Sequence, residues 1–455
     1  MDIVLFGVGQ YTDKFINIIH YFGKTVSYLA DNDKKKAGET FHGIKVISPE
    51  LLIGLDCKII VSCIHWKEIG KQLSEMGIGN RLISLSSFLK LSDDIRGWDD
   101  ADYMICMDLY SKAKWGGAEN WNIVLAKELA AKRSRIAVTG IRVPEVPSDY
   151  FGLKQIEFMC FPPESALEKA VAYYRKSLPL VFVNSFYGEN FFAAMAVKRM
   201  EPHRMRIINV VHNDRPAHYN LAVLFDDWID QYLCVSSRIK ETLVYEYGIP
   251  EDKVSFLHQP VDLLRDHRKN YNVAGPLRLG IASRLTKEQK RCDLIPELIR
   301  YLEDCSADYV MSIAGDGELS EPINDYIKAN DLSEKVRMLG YLGKEEMNDF
   351  WKGQDVYINI SEYEGTSLSM LEAMGSGCVP LVTDVSGVRD YISDGRSGFV
   401  FDIGDLRHIA EKVRDLSLNR SRLQELGSAA KQEVFSKCNA ADYACRLIRI
   451  VEDMT

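Results

Sequence analysis

The sequence predicts an α/β protein built on parallel sheets and laid out as three successive strand–helix segments. Short apolar runs such as "IVLF", "PLVFVN", "LRLGIAS" and "DVYINI" recur along the chain, each followed by a loop or an amphipathic helix. That alternation is the pattern of βαβ units. The length, 455 residues, fits two to four domains. At 46% hydrophobic and 27% charged residues, the chain has enough apolar material for a core in each segment.

Taken in order, residues 1–95 begin with "IVLFGVGQYTDKFINIIHYFG", an apolar strand, a glycine turn and an amphipathic helix. "TVSYLADND" and "CKIIVSCI" add strands, and "ISPELL" starts a short helix with Ser48 as N-cap and Pro49 at the first helical position. The turn reads Gly7-x-Gly9-x-x-Thr12, with Asp31 and Asp33 where a ribose-binding acid falls in a dinucleotide site. Thr12 stands where the third glycine belongs, and the segment is too short for a two-lobed dinucleotide fold. "LSDDIRGWDDADY" is a polar linker. A second segment, residues 96–265, carries the strands "DYMICMDLY", "RIAVTG", "PLVFVNS", "MRIINVVHND" and "QYLCVSS". A third, residues 266–435, carries "LRLGIASRL", "YVMSIAGDGEL", "KVRMLGYL", "DVYINIS" and "VPLVTD". Residues 436–455 form an amphipathic helix, expected to pack back towards the second segment.

The charge balance excludes several functions. Of the net −9, roughly −8 falls after residue 265, so no basic face for nucleic acid is present. No run reaches the roughly 18 apolar residues of a membrane span, and the N-terminus enters a strand without a basic flank. A cytoplasmic protein is expected. The ten cysteines form no CxxC pair and the nine histidines no HExxH motif, so no metal site is predicted.

The densest chemistry lies in "SEYEGTSLSMLEAMGSG", residues 361–377, where Glu364 and Glu372 are eight positions apart. On one continuous helix they would sit roughly 12 Å apart and about 80° round the axis, unable to act together. Gly365 after the first acid suggests instead a loop carrying Glu364, then a helix from Thr366 to Met374 stopped at Gly375. The free amides of Thr366, Ser367 and Leu368 would then form an anion site between the two acids. Ser369 to Glu372 also reads as a capping box, a purely structural alternative. Neighbouring strand ends supply Arg284, Lys287, Lys290 and Arg291, and the Asp316-Gly317-Glu318 loop. Cations facing a helix N-terminus suit a diphosphate, and the two glutamates suit sugar and ribose hydroxyls.

The ordered set "GGAE" (116–119), "VVHND" (210–214), "CVSS" (234–237), "SRLTKEQK" (283–290), "AGDGEL" (314–319), "VRMLGYL" (336–342) and E-x7-E resembles retaining glycosyltransferases of family 4. The resemblance covers residues 99–455 and implies the GT-B architecture of two Rossmann-like lobes, the first (acceptor) lobe at 96–265 and the second (nucleotide-sugar donor) lobe at 266–435, here with a small N-terminal Rossmann-like domain. The latter resembles domains fused to sugar-modifying bacterial enzymes. It implies that Arg284 and Lys290 hold a donor diphosphate, Glu372 the ribose, and Glu364 with Gly365 and the amides after it the transferred sugar. Backbone at Tyr341 and Leu342 would meet the base, Gly116 and Gly117 would face the diphosphate, and His212 would reach the sugar.

The implied function is transfer of a hexose-type sugar from a nucleotide diphosphate donor, UDP favoured over GDP, to a carbohydrate or lipid-linked acceptor, without a metal or other cofactor. Bacterial-type polysaccharide synthesis is the implied setting. Three positions depart from the pattern: the Arg284–Lys290 gap is one residue long, Gln259 replaces asparagine, and Ser386 stands where glycine is common. The last two are expected to bear on substrate fit. Two competing readings are an NAD-dependent sugar oxidoreductase using Gly7, Gly9 and Asp31, and a non-catalytic GT-B scaffold. The N-terminal segment is expected to dock or oligomerise, and "KRMEPHRMR" (198–206) is a basic cluster weighed for peripheral membrane contact at the inner face.

Overall fold

The computed structural model describes residues 1–91, 102–109, 117–133, 135–141, 156–263, 269–271 and 274–454. Among these, the strands form three sheets. The first has β1 (Asp2–Phe6), β2 (Tyr28–Ala30), β3 (Thr40–Phe41), β4 (Ile44–Ile47) and β5 (Cys57–Val61), in the order β3-β4-β2-β1-β5. It is parallel except at the β3–β4 hairpin. The second has β6 (Met104–Leu109), β7 (Ile136–Ile141), β8 (Ile156–Phe161), β9 (Leu180–Asn184), β10 (Met205–Val211), β11 (Gln231–Cys234) and β12 (Val254–Phe256). Its order is β12-β11-β10-β9-β6-β7-β8. The third has β13 (Leu277–Ala282), β14 (Tyr309–Ala314), β15 (Val336–Gly340), β16 (Val356–Asn359), β17 (Val379–Thr383) and β18 (Phe399–Phe401), in the order β15-β14-β13-β16-β17-β18.

The second and third sheets are parallel throughout. Helices cover both faces, which is why β6, β9 and β10 are buried along their whole length and read as unbroken apolar runs. In each sheet the strand order reverses once, between β9 and β6 and between β13 and β16. Loops leaving adjacent strands at such a point diverge and open a crevice at the carboxyl ends. The loops after β13 and β16 are those that carry Arg284 to Arg291 and Glu364 to Ser367.

The N-terminal unit docks within its own chain. Phe15 meets Phe192 at 5.5 Å and Phe225 at 5.9 Å between ring centres, joining both units in one apolar core. Trp66 Nε1 donates to the Asn220 carbonyl at 3.1 Å, and the Arg199 guanidinium lies 4.2 Å from the Phe22 ring centre. The helix Ala440–Asp453 returns to the second sheet's helix Gly117–Ala130, where Tyr443 stands edge-on to Trp121 at 5.8 Å.

The basic cluster at 198–206 is not a surface patch. Lys198 is buried and paired with Asp230 at 2.6 Å, Arg206 is buried, and Arg199 is held against the N-terminal unit. The alternation of charges in sequence gave no sign that two of these cations point inward. No helix among the described residues is long and apolar enough to cross a membrane.

Candidate donor site between the two lobes

Glu364 is 4% exposed, and its carboxylate is fully engaged. Lys290 Nζ lies 2.5 Å from Oε1, Ser361 Oγ donates to Oε1 at 2.7 Å, and Gln289 Nε2 donates to Oε2 at 3.1 Å. Lys290 therefore contacts this acid directly and Arg284 only through Gln289. Lys290 is turned onto it, while Arg284 is exposed and reaches Gln289 Oε1 at 3.4 Å. Lys287 is exposed, and its backbone amide donates to Glu318 at 3.1 Å. Arg291, in a left-handed conformation, turns away to Glu362 at 2.6 Å.

The helix after Glu364 differs from the expected one at both ends. It runs Leu368–Gly375, two residues shorter at the start, because Ser367 caps it by accepting from the Met370 amide. The capping box at Ser369 is thus not the one used. Its end is set by Gly377, at φ +83°, rather than by Gly375: the Gly377 amide donates to Met374 and the Cys378 amide to Ala373. Among the described residues, the amides of Gly365, Thr366, Ser367 and Leu368 donate to no protein acceptor. They stand at the positive end of the helix dipole.

Gly365 is required sterically. A Cβ there would lie 1.9 Å from the His212 carbonyl oxygen and 2.7 Å from Val235 Cγ2, both on the first lobe. The lobes touch directly at this turn: the Asp214 amide donates to the Glu364 carbonyl at 3.1 Å, and Thr366 Oγ1 to the Val235 carbonyl at 2.7 Å. Gly117 opens its helix beside the Leu368 side chain, so two helix N-termini face one space. Gly116 lies outside the described residues.

His212 has its ring edge-on to Trp121 at 5.5 Å, and its buried Nε2 has no partner among the described residues. Burial, reinforced by His218, pushes its pKa down to about 3, so the ring is neutral. Glu372 is partly buried on the helix, two turns past the cap. Desolvation raises its pKa to about 7, against the opposing pull of the Trp351 indole N–H and Lys344. Tyr341 is exposed and Leu342 half-buried on the loop after β15, which ends at Gly340.

Sequence reasoning missed several polar groups. Asp108, inside the apolar run of β6, is buried and accepts from the Ser185 and Phe186 amides at 2.7 and 3.1 Å, pinning the loop after β9 across the first lobe's crevice. Burial lifts its pKa to about 8, against those two amides. An acid one residue from the end of an apolar strand was the available signal. Gln289 and His218 gave none. Burial, then Arg215, lowers the His218 pKa to about 4.

Gln259 and Ser386, expected to bear on substrate fit, both lie at the boundary between the lobes. Ser386 Oγ lies 2.6 Å from Ser236 Oγ, the Gln259 amide donates to Tyr391 at 2.8 Å, and all of these residues are buried where the two lobes meet. They hold the lobes together.

In the N-terminal unit the glycine turn is occupied by its own chain. The Val8 amide donates to Asp31 at 2.7 Å, the Gly9 amide to Thr12 Oγ1 at 2.8 Å, and Lys36 lies 3.2 Å from Asp31. The Val8 and Gly9 amides and the Asp31 carboxylate are thus already engaged within the unit.

Residues 265–433 match the family described as glycosyl transferases group 1, and residues 1–84 match one described as C2185-like, N-terminal. Among curated proteins, the amylovoran biosynthesis glycosyltransferase AmsK of Erwinia amylovora is 24% identical, over 49% of this chain and 56% of its own. The N-acetyl-alpha-D-glucosaminyl L-malate synthase of Bacillus anthracis is 24% identical, over 71% of this chain and 90% of its own. The chain thus spans just over half the length of the first and most of the second. Among solved structures, Anabaena HepE in complex with UDP and glucose superimposes with a TM-score of 0.64 at 16% identity, over 77% of this chain and all of that one. Residues 265–433 are therefore similar to group 1 glycosyltransferases, and the second and third sheets have the two-lobed GT-B fold.

Proposed function

We propose that the protein is a retaining glycosyltransferase that moves a hexose-type sugar from a UDP-sugar to the hydroxyl of a carbohydrate or lipid-linked acceptor, in polysaccharide or glycoconjugate synthesis. The observation that carries this reading is the run of amides at Gly365–Leu368 that, among the described residues, donate to no protein acceptor. They come directly after Glu364, which Lys290 contacts and Arg284 reaches through Gln289, with Glu372 on the helix that follows. The names of the relatives support it, one concerned with amylovoran and one with an N-acetylglucosaminyl product, and HepE was solved with UDP and glucose.

In this reading the donor diphosphate draws Lys290 from Glu364 and lies between Lys290, Arg284 and the helix N-terminus. As the glycosidic bond breaks, charge grows on the diphosphate, and these preorganised donors bind that state more strongly than the ground state. Arg284, Lys290 and the helix dipole supply the charge compensation, so the reading includes no metal. Glu364 accepts from the sugar hydroxyls; it is not the nucleophile of a carboxylate pair. The acceptor hydroxyl attacks from the face that the diphosphate leaves and gives its proton to the departing phosphate, which retains configuration. Neutral His212 accepts from a sugar hydroxyl through Nε2, and Glu372 takes the ribose hydroxyls.

The test is a thermal-shift panel in EDTA with UDP, GDP, ADP and NAD. A ligand at about 100 times its Kd adds about 2.7 kcal/mol. A shift with UDP that Glu372→Ala removes is the expected result. A shift with NAD alone, insensitive to Glu372, would overturn the reading.

A further inference from the structure

Gln289 lies on the loop between Arg284 and Lys290, and the reading above gives it no task. Its backbone carbonyl accepts from the Glu362 amide at 2.9 Å, so the side chain starts from a fixed point beside the cleft. Nε2 lies 3.1 Å from Glu364 Oε2 and 3.5 Å from Asn213 Oδ1 of the first lobe, while Oε1 lies 3.4 Å from Arg284 Nη2. The orientation of the amide is dictated by chemistry: an ionised carboxylate only accepts and a guanidinium only donates. One neutral side chain thus links the sugar-side acid, the diphosphate-side cation and the opposite lobe.

We propose that Gln289 is a positioning residue for sugar transfer, holding Glu364 and Arg284 in register and tying both to Asn213 of the first lobe. The inference rests on the reading of this cleft as the donor site. Its value lies in what happens when Lys290 leaves Glu364 for the diphosphate. Oε1 then keeps Ser361 and Oε2 keeps Gln289, so the carboxylate stays oriented by neutral donors that do not compete for the phosphate. A carboxylate at 289 would stand beside Glu364, and like charges at that separation force one of them to take up a proton.

The experiment follows UDP release from UDP-glucose, UDP-galactose and UDP-N-acetylglucosamine by the full chain and by Gln289→Ala, Gln289→Asn and Gln289→Glu, from about pH 5.5 to 9. The Kd for UDP and the Tm of each protein are measured alongside. Loss of a hydrogen bond to a charged group corresponds to a fall of about 10- to 100-fold in kcat for Gln289→Ala, with Kd for UDP within about threefold and Tm unchanged. Gln289→Glu is expected to lose activity as the pH rises and to regain it at the acid end, where the new pair holds a proton. Gln289→Ala with wild-type kcat, or Gln289→Glu with the wild-type pH profile, would overturn the proposal. Wild-type protein that neither binds UDP nor releases it from these donors takes the reading of the cleft down as well; UDP binding with unaltered variants removes only the role of Gln289.

Discussion

Two places in this molecule set a glycine-bearing loop at the end of a parallel strand and against the start of a helix, with an acid nearby. In the N-terminal unit the loop Gly7 to Thr12 follows β1 and faces Asp31. In the second lobe the loop Ile360 to Ser367 follows β16 and holds Glu364. The first has closed on itself: Asp31 takes the Val8 amide and Lys36, and Thr12 takes the Gly9 amide. Among the described residues, the second leaves the amides of Gly365 to Leu368 without a protein acceptor, with an exposed arginine, Arg284, one side chain removed from Glu364 through Gln289. A ligand at the first turn must displace what holds the Val8 and Gly9 amides, whereas one at the second meets donors with no described acceptor.

The largest expected effect tests the open site. Removing a donor to a developing charge costs about 2.7–4 kcal/mol, so Arg284→Ala should lower turnover by roughly 100- to 1000-fold. Steady-state kinetics with a UDP-sugar check this, and a fall under about tenfold would remove Arg284 from the diphosphate's surroundings. Next comes Glu372. Its folded-state pKa of about 7 lies above the ordinary 4.5, so its contribution to stability is full below about 4.5 and is lost as the pH rises through about 7. Glu372→Gln should be more stable than wild type at about pH 8, on the order of 2 kcal/mol once partial solvent exposure is allowed for, and should lose that advantage at about pH 4.5. Denaturant melts at the two pH values decide. On the proposed reading the same group accepts from a ribose, which the ionised carboxylate does more strongly than the acid, so UDP should bind wild type more tightly as the pH rises through about 7.

The closed site yields a smaller and opposite result. Asp31→Ala strips the Val8 and Asp33 amides of their acceptor and leaves Lys36 only the Val8 carbonyl, and should destabilise the protein by about 1–3 kcal/mol without creating NAD binding. NAD titration of wild type and variant checks both halves; binding by wild type would show that the loop opens.

Much of this was legible in the sequence, and the limits have physical causes. Strand periodicity and the residues at strand ends depend on local chemistry, so β13, β14 and β16 and the loops carrying Arg284 and Glu364 could be read directly. Whether a donor is spent depends on a partner far along the chain. Asp31 reaches back 23 residues to Val8, and Gln289 reaches 76 residues to Asn213. Lys198 and Arg206 looked like surface charge because the run of cations does not reveal Asp230, which lies 32 residues on from Lys198. The helix start at Leu368 was misplaced by two residues because Thr366 is held by Val235 of the other lobe, a contact no local propensity encodes.

The smallest effect separates substrate contact from lobe contact. Ser386 and Ser236 share a hydrogen bond at 2.6 Å across the lobe boundary, and both are buried. Ser386→Ala leaves the Ser236 hydroxyl without that partner, although Ser236 still caps its own helix by accepting from Ile239 at 3.2 Å. The loss should be about 0.5–1.5 kcal/mol of stability. If Ser386 acts only through the lobe boundary, the variant keeps its Kd for UDP, and Ser236→Ala, combined with it, adds less than the sum of the two single changes. A changed preference among UDP-sugars with unaltered stability would instead place Ser386 in contact with substrate, and would mean that the lobes open far enough in solution to free it.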